Sequence, residues 1–354
     1  MTLTLDRVRV EVGDFALCDV DLKVNDGEYF VLIGPTGSGK TVLLETIAGL
    51  HRLKSGTISL GEREITSVPS EQRGIAIVYQ DYALFPHLTV EGNVAFGLKC
   101  SRRSKSEICD AIDRVVALFG IGPLLQRKPS TLSGGERQKV ALARALATKP
   151  AVILLDEPLS ALDPETREAL QEELRYLHVT LKTTIVHVTH SFEEAIALGD
   201  RVGVFGQGRL HQVGAAQEIF SRPNSEFVAR FTMARNIFHG TVGRGDGKMV
   251  FAAEGISFGV TSEWEGECCA VIRPEAVTIS AQPERTEDIN CVSGTVADVI
   301  DRGPVYSVAL DVPARLNCLV PRASVEGSRP QPGQSVYACF RASAVHLLRE
   351  DRGE

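Results

Sequence analysis

No run of about 20 apolar residues, the length that crosses a bilayer, occurs in this 354-residue chain, which excludes an ordinary membrane-spanning helix. A signal-peptide pattern is missing too. Asp6, Arg7 and Arg9 stand amid alternating apolar residues in the manner of a strand, and the chain is expected to stay in the cytoplasm. The eight cysteines (Cys18, Cys100, Cys109, Cys268, Cys269, Cys291, Cys318 and Cys339) show no paired CxxC spacing of the kind that marks zinc. In a cytosolic setting all eight are expected as reduced, space-filling thiols. Positive charge is not in excess either. A formal net charge of −7 argues against nucleic acid as the main partner, because DNA binding usually leaves a basic footprint.

At this length two or three domains are expected. Up to about Arg230 short apolar runs alternate with helical patterns, the signature of a parallel sheet covered by helices. Beyond Asn236 short alternating segments such as Val305-Tyr306-Ser307-Val308-Ala309-Leu310 are separated by Gly, Pro and Asp, which predicts a small all-β unit. The boundary is placed at 232/233, giving domains 1–232 and 233–354. The second contains a repeat: Gly240-Thr241-Val242 followed by residues 270–277 recurs as Gly294-Thr295-Val296 followed by residues 338–345, implying a duplicated β module.

What points to chemistry is an octapeptide, Gly34-Pro35-Thr36-Gly37-Ser38-Gly39-Lys40-Thr41. The run Tyr29 to Ile33 before it reads as a buried parallel strand, and Val42-Leu43-Leu44 with Ile47-Ala48 after it gives a helical apolar face ending at Gly49. In that context glycines let consecutive N–H groups face one anion, the helix N-terminus adds its positive end, Lys40 reaches the β- and γ-phosphates, and Thr41 offers its hydroxyl to Mg²⁺. A plain glycine turn needs neither Lys40 nor Thr41.

A second apolar strand, Val152-Ile153-Leu154-Leu155, ends in Asp156-Glu157-Pro158, two acids at the carboxyl end of a strand where α/β sheets bind ligands. Asp156 suits Mg²⁺ and Glu157 suits polarising the attacking water. Leu132-Ser133-Gly134-Gly135-Glu136 reads as a capping box at the start of a helix through Val140, Leu142 and Leu146. Two consecutive glycines there cost helix stability for no local gain, which suggests an N-terminus kept open for an anion. A further capping box, Ser191-Phe192-Glu193-Glu194, follows His190. Another helix beginning near Ser106 has Ile108, Ile112, Val115 and Phe119 on one face.

In order, residues 34–41, Gln80, Leu132 to Glu136, Leu154 to Pro158, Ser160-Ala161-Leu162-Asp163 and His190 resemble the complete motif set of the ATP-binding cassette ATPases. The β-rich tail is similar to the regulatory domain of importer ATPases in that family. The resemblance implies an α/β P-loop nucleotide-binding domain, with a RecA-like core and a helical subdomain over about residues 84–148. A C-terminal all-β domain, OB-like and of the TOBE or Mop type, would follow. It implies an ATPase using ATP and Mg²⁺, with Phe15 stacked on adenine and residues 34–41 on the phosphates. Thr41, Gln80 and Asp156 would hold Mg²⁺, while Glu157, His190 and Gln80 carry the chemistry. Ser133, Gly134, Gly135 and Asp163 would complete the nucleotide-binding set. Because the P-loop and Ser133 segment of one chain face different directions in the family fold, the second wall is expected from a second copy. Other implied partners are transmembrane permease subunits, contacted by the Gln80 loop and the helical segment, and indirectly a substrate-binding protein. The expected place is the cytoplasmic face of the membrane.

Within the tail, Ala234-Arg235-Asn236 and Arg341-Ala342-Ser343-Ala344-Val345-His346 resemble small β modules that bind molybdate or tungstate. A compact oxyanion suits several directed donors, which Arg235, Asn236, Arg341 and Ser343 supply. Residues 41–45 and 81–86 also resemble molybdate and tungstate importers more than sugar importers. Import of iron(III), sulfate, polyamine or sugar is the alternative within the class. A soluble non-transport ATPase acting on DNA or the ribosome is the remote one, since such proteins usually carry two cassettes or a long coiled coil.

Overall fold

The computed structural model describes residues 1–349 apart from 102, 246, 285, 287 and 325–328, and the chain divides into two compact units at Gln217/Glu218. The first unit runs β1 (Leu3–Val12), β2 (Phe15–Val24), β3 (Tyr29–Ile33), α1 (Lys40–Ala48), β4 (Ser55–Leu60), β5 (Arg63–Glu64), β6 (Ile75–Val78), α2 (Val90–Cys100), α3 (Lys105–Phe119), α4 (Gly134–Ala147), β7 (Val152–Asp156), α5 (Pro164–Leu181), β8 (Thr184–Thr189), α6 (Phe192–Leu198), β9 (Arg201–Gly206) and β10 (Arg209–Gly214). Its main sheet has the order β10-β9-β3-β8-β7-β6, parallel except for β10. A smaller antiparallel sheet, β2-β1-β4-β5, shares one core with it and with α1.

Every residue of β3, β7 and β8 is buried, as a parallel sheet covered on both faces requires. Leu43, Leu44 and Ile47 of α1 are fully buried. At roughly 2 kcal/mol each they fix the helix against the sheet. The C-terminus of α1 is held by a buried arginine that sequence patterns do not reveal. Arg73 donates to Thr46 O and Ile47 O at 3.1 and 2.9 Å and to Thr66 O and Val68 O at 3.0 and 2.8 Å, placing a cation on the negative end of the helix dipole. Gly49 ends the helix with φ 90°, and a Cβ there would lie 2.5 Å from Arg73 Nε, so both conformation and space demand glycine.

Helices α2, α3 and α4 form the helical segment, with α4 packed on both of the others. The helix expected near Ser106 starts at Lys105 under a full capping box from Ser104 and Glu107 and buries Ile112, Val115 and Phe119. Ile108, expected on the same face, is only partly buried.

The second unit comprises α7 (Ala216–Ser221), which spans the division, α8 (Glu226–Phe231), β11 (Asn236–Gly245), β12 (Lys248–Ala253), β13 (Ile256–Gly259), β14 (Gly266–Ile272), β15 (Thr278–Ser280), β16 (Ile289–Asp301), β17 (Val305–Asp311), β18 (Leu316–Pro321), β19 (Ser335–Arg341) and β20 (Val345–Arg349). The boundary expected at 232/233 lies earlier because Ala229 and Ala234 pack in an apolar cluster with Cys269, Val271 and Leu348, which draws α8 onto the β module.

The repeat is a structural duplication. One sheet is β13-β12-β11-β14-β20 and the other β15-β19-β16-β17-β18, so the last strand of each copy crosses to the sheet of the other. The repeated glycines occupy matching places. A Cβ on Gly240 would lie 2.3 Å from Ala252 O on β12, and one on Gly294 would lie 2.9 Å from Asp311 O on β17. Matching asparagines tie the copies together: Asn236 holds the backbone of Asn317 on β18, and Asn290 holds that of Gly259 on β13.

One cysteine expectation is corrected here. Cys291 and Cys339 are not separate thiols but a disulfide, because the register of β16 and β19 sets them directly opposite with Cα atoms 4.2 Å apart.

Candidate functional site

Parallel strands deliver their carboxyl ends to one edge of the sheet, and four of them deliver the expected chemistry there. The loop 34–39 leaves β3, Gln80 follows β6, Glu157 follows β7, and His190 follows β8. Phe15, Thr36, Gly37, Gly39, Lys40, Thr41, Val42, Gln80, Asp156, Glu157 and His190 line a single cleft of about 660 Å³. Within the loop, Gly37 and Gly39 take φ of 79° and 98°. A Cβ on Gly39 would lie 2.2 Å from the Phe15 ring, so the glycine also admits the aromatic to the cleft. Gly34 passes so close to β9 that a Cβ would lie 2.0 Å from Phe205 O.

Lys40 is 5% exposed, and its ammonium donates to Gly34 O at 2.8 Å and Pro35 O at 3.0 Å. Ser38 Oγ is buried without a hydrogen-bond partner. Thr41 Oγ1 donates to Asp156 Oδ1 at 3.2 Å, and His190 Nδ1 lies 3.3 Å from Glu157 Oε2. Glu157 itself has φ 45°, with its N–H bonded to Val188 O at 2.9 Å, a left-handed conformation that sets it on its turn after β7. An ammonium resting on carbonyls, an unpartnered buried hydroxyl, and a hydroxyl and carboxylate in contact fit a triphosphate with a hard divalent cation.

The site's charges burden the protein in the absence of ligand. Burial pushes the Asp156 carboxyl above its ordinary value, partly offset by the Thr41 hydrogen bond, and burial pushes the Lys40 ammonium down. A carboxyl raised in the folded state contributes stability only when protonated, and that contribution is lost as pH rises through the folded value. At neutral pH the Asp156 charge therefore costs stability. Asp156→Asn should raise the Tm of the nucleotide-free chain and shrink the further rise produced by Mg²⁺ with ATP. A lowered Tm in differential scanning calorimetry without ligand would contradict this.

Several supporting groups are absent from the motifs. His187 is wholly buried, with Nδ1 3.0 Å from Tyr29 Oη and Nε2 3.5 Å from Glu194 Oε2. Thr189 donates to the same carboxylate oxygen at 2.6 Å, anchoring the strand end from which His190 projects. This also alters the second capping box. Ser191 accepts from Glu194 N, but the Glu194 side chain turns inward to Thr189, leaving Thr189 to accept from Ser191 N. The alternating pattern of β8 is uniformly buried, so nothing in its sequence separates His187 from a filler position. Val42, expected only as part of an apolar helix face, reaches the cleft.

Ser133, Gly134, Gly135 and Asp163 do not line this cleft. The capping box at Ser133 is complete, with Ser133 N donating to Glu136 at 2.7 Å and Ser133 Oγ accepting from Glu136 N at 3.2 Å. Packing is tight at only one of the paired glycines: a Cβ on Gly135 would lie 3.0 Å from Thr166 Cγ2, whereas one on Gly134 would meet Leu162 Cδ2 at an ordinary 3.4 Å. Asp163 caps α5, accepting from Thr166 N at 3.0 Å.

Among the expected oxyanion residues, Asn236 needs correction. It is fully buried, its amide nitrogen bonds Asn317 O at 2.8 Å and its oxygen accepts from Asn317 N at 2.6 Å, so its directed groups serve the joint between the repeats. Arg235, Arg341 and Ser343 are exposed. Ser343 borders a separate cleft that also includes Arg222, Arg273 and His346.

The sequence profile of the ABC transporter family matches residues 17–160, and that of the TOBE domain matches residues 270–348. The chain is 42% identical to a molybdate/tungstate import ATP-binding protein of Pyrococcus abyssi, across 98% of this chain and all of that protein. It is 39% identical to a spermidine/putrescine import ATP-binding protein of Pseudomonas aeruginosa, across 98% of both. Among solved structures, a dimeric ATP-binding cassette in a post-hydrolysis state bound to ADP and Pi is similar with a TM-score of 0.54 at 29% identity, covering 60% of this chain and 98% of that one. With two import ATP-binding proteins similar to it over nearly its whole length, the chain belongs to the ATP-binding cassette importer ATPases.

Proposed function

We propose that this chain is the ATP-hydrolysing subunit of an importer for molybdate or tungstate. The observation that carries the enzymatic part is the convergence of Lys40, Thr41, Asp156, Glu157 and His190 on one cleft. Lys40 exchanges the carbonyls of Gly34 and Pro35 for the β- and γ-phosphate oxygens, and the N–H groups of residues 36–41 surround the phosphates. Thr41, Asp156 and Gln80 would hold Mg²⁺, which would supply neutralisation of charge on the phosphates. Glu157 accepts a hydrogen bond from the attacking water and takes its proton, while His190 orients that carboxylate and faces the γ-phosphate. Phe15 offers its ring to adenine.

Two copies of the chain close on ATP, with Ser133, Gly134, Gly135 and Asp163 of one facing the P-loop of the other. The position of Ser133 outside the cleft that Lys40 lines supports this reading. Opening after hydrolysis passes to permease subunits through the Gln80 loop. There Arg144 holds Tyr82 O and Ala83 O at 3.0 and 2.7 Å, and Asn93 holds both backbone groups of Phe85, so movement of the loop and the helical segment is coupled. No helix among the described residues is long and apolar enough to cross a membrane, which suits a subunit attached to the cytoplasmic face through such a permease, with cargo delivered by a substrate-binding protein.

The cargo reading rests on the full-length relative from Pyrococcus abyssi. In the tail, Arg235, Arg341 and Ser343 are the exposed donors offered to a regulatory oxyanion. Titration calorimetry of the full chain should give heat with molybdate and tungstate and none with sulfate or spermidine. No heat with either metal oxyanion would remove the regulatory site. Deleting the gene should abolish molybdate or tungstate uptake and leave putrescine uptake unchanged, and the reverse would reassign the cargo to polyamines.

A further inference from the structure

We infer that Glu226, His239 and Cys269 form a binding site for a thiophilic divalent cation of the zinc class, within the second unit. The three residues come from three elements: Glu226 opens α8, His239 is in the middle of β11, and Cys269 lies on β14. In the register of β11 and β14, His239 and Cys269 are direct partners, so their side chains share one face of the sheet. Glu226 reaches that face from the helix packed there. Its Oε2 is 3.4 Å from His239 Nε2, and the carboxylate, imidazole and thiol donor atoms all lie within 4.8 Å of one another. Zinc bonds of about 2.0–2.3 Å in a tetrahedron put neighbouring donors roughly 3.3–3.8 Å apart. One edge is therefore already at length, and the others, at no more than 4.8 Å, close by at most about 1.5 Å on binding.

The surroundings differ on the two sides of the cluster. Cys269 is 3% exposed, in the apolar cluster of Ala229, Ala234, Val271 and Leu348, whereas neighbouring Cys268 points to the main core of the β unit. His239 has about half its side chain exposed, which gives an entry path. Glu226 is oriented by a second partner, since Arg230 holds its Oε1 with Nε at 2.6 Å and leaves Oε2 to His239. The guanidinium is mostly exposed, so solvent screens its repulsion of a cation. The mixture of sulfur, imidazole nitrogen and one carboxylate selects Zn²⁺ or Co²⁺ over Mg²⁺ or Ca²⁺. Three protein ligands leave a fourth position for water. Binding releases the Cys269 thiol proton to solvent, and the ion ties α8 to the sheet.

Titration of Co²⁺ into the full chain reads the site directly, because only thiolate coordination gives the intense near-ultraviolet charge-transfer band, and the nucleotide site holds no cysteine. The parent protein for this test carries Cys100→Ser and Cys109→Ser, which removes the two exposed thiols, and retains the Cys291–Cys339 disulfide. The band should saturate at one equivalent, disappear in Cys269→Ser, and require at least tenfold more Co²⁺ in His239→Ala and Glu226→Gln. His239 is exposed enough for its alanine variant to keep the fold, so that variant reads ligation even where Cys269→Ser does not fold. Absence of the band in the parent, or equal Co²⁺ affinity in parent and His239→Ala, overturns the site.

Discussion

Glu157→Gln binds ATP with near-normal affinity and hydrolyses it 10²- to 10⁴-fold more slowly, the range that removal of a general base produces. Glutamine has the size of glutamate, and the backbone that positions it is held independently by the bond from residue 157 N–H to Val188 O at 2.9 Å. The phosphate-binding groups, Lys40 and Thr41, do not depend on the Glu157 carboxylate for any hydrogen bond in the structure. What is lost is the ability to take a proton from water, together with the charge 3.3 Å from His190 Nδ1. Binding and turnover should therefore separate, and ATP should hold the variant as a closed dimer. Steady-state ATPase measurements beside equilibrium nucleotide binding decide it. Turnover within about threefold of the parent would remove Glu157 from the proton-transfer role.

Lys40→Ala fails at the preceding step. A charge-assisted hydrogen bond contributes on the order of 1.5–3 kcal/mol, and Lys40 is positioned for two phosphate oxygens, so ATP affinity should fall at least a hundredfold. The fold should survive. Burial pushes the Lys40 ammonium down, its folded-state charge is unfavourable near neutral pH, and it donates only to carbonyls of its own loop. Nucleotide titration with a fluorescent ATP analogue, beside circular dichroism, separates the two effects. ATP affinity within threefold of the parent would contradict the role assigned to Lys40.

Much of this site can be read along the chain because its chemistry is local. A glycine loop between a strand and a helix, and acids at a strand end, are short-range patterns with specific physical uses, and Lys40, Thr41, Asp156, Glu157 and His190 do converge. The duplication was legible for the same reason, as matching segments beginning Gly240-Thr241-Val242 and Gly294-Thr295-Val296. The exchange of β15 and β20 between sheets was not, since strand partners are chosen over long separations. Asn236 reads as an anion donor by sequence, but the Asn317 backbone, 81 positions away, takes both ends of its amide. The cross-strand pairing of Cys291 with Cys339 depends on register, which spacing does not reveal. Arg73 and His187 carry no motif at all, because their roles are defined by buried carbonyl and carboxylate partners supplied by distant elements. The division at Gln217/Glu218 follows from packing of α8 on the β unit and not from any change in composition.

The central claim is that each ATP is closed by Lys40 of one chain and Ser133 of another. Neither Lys40→Ala nor Ser133→Arg should hydrolyse ATP alone. When the two variants are mixed, half the dimers are heterodimers, each with one site whose two walls are intact, so roughly a quarter of the complete sites return. Single-turnover ATP hydrolysis by the mixture should recover in proportion to heterodimer formation. Recovery is the result expected; a mixture as inactive as either variant alone would contradict a site shared between two chains.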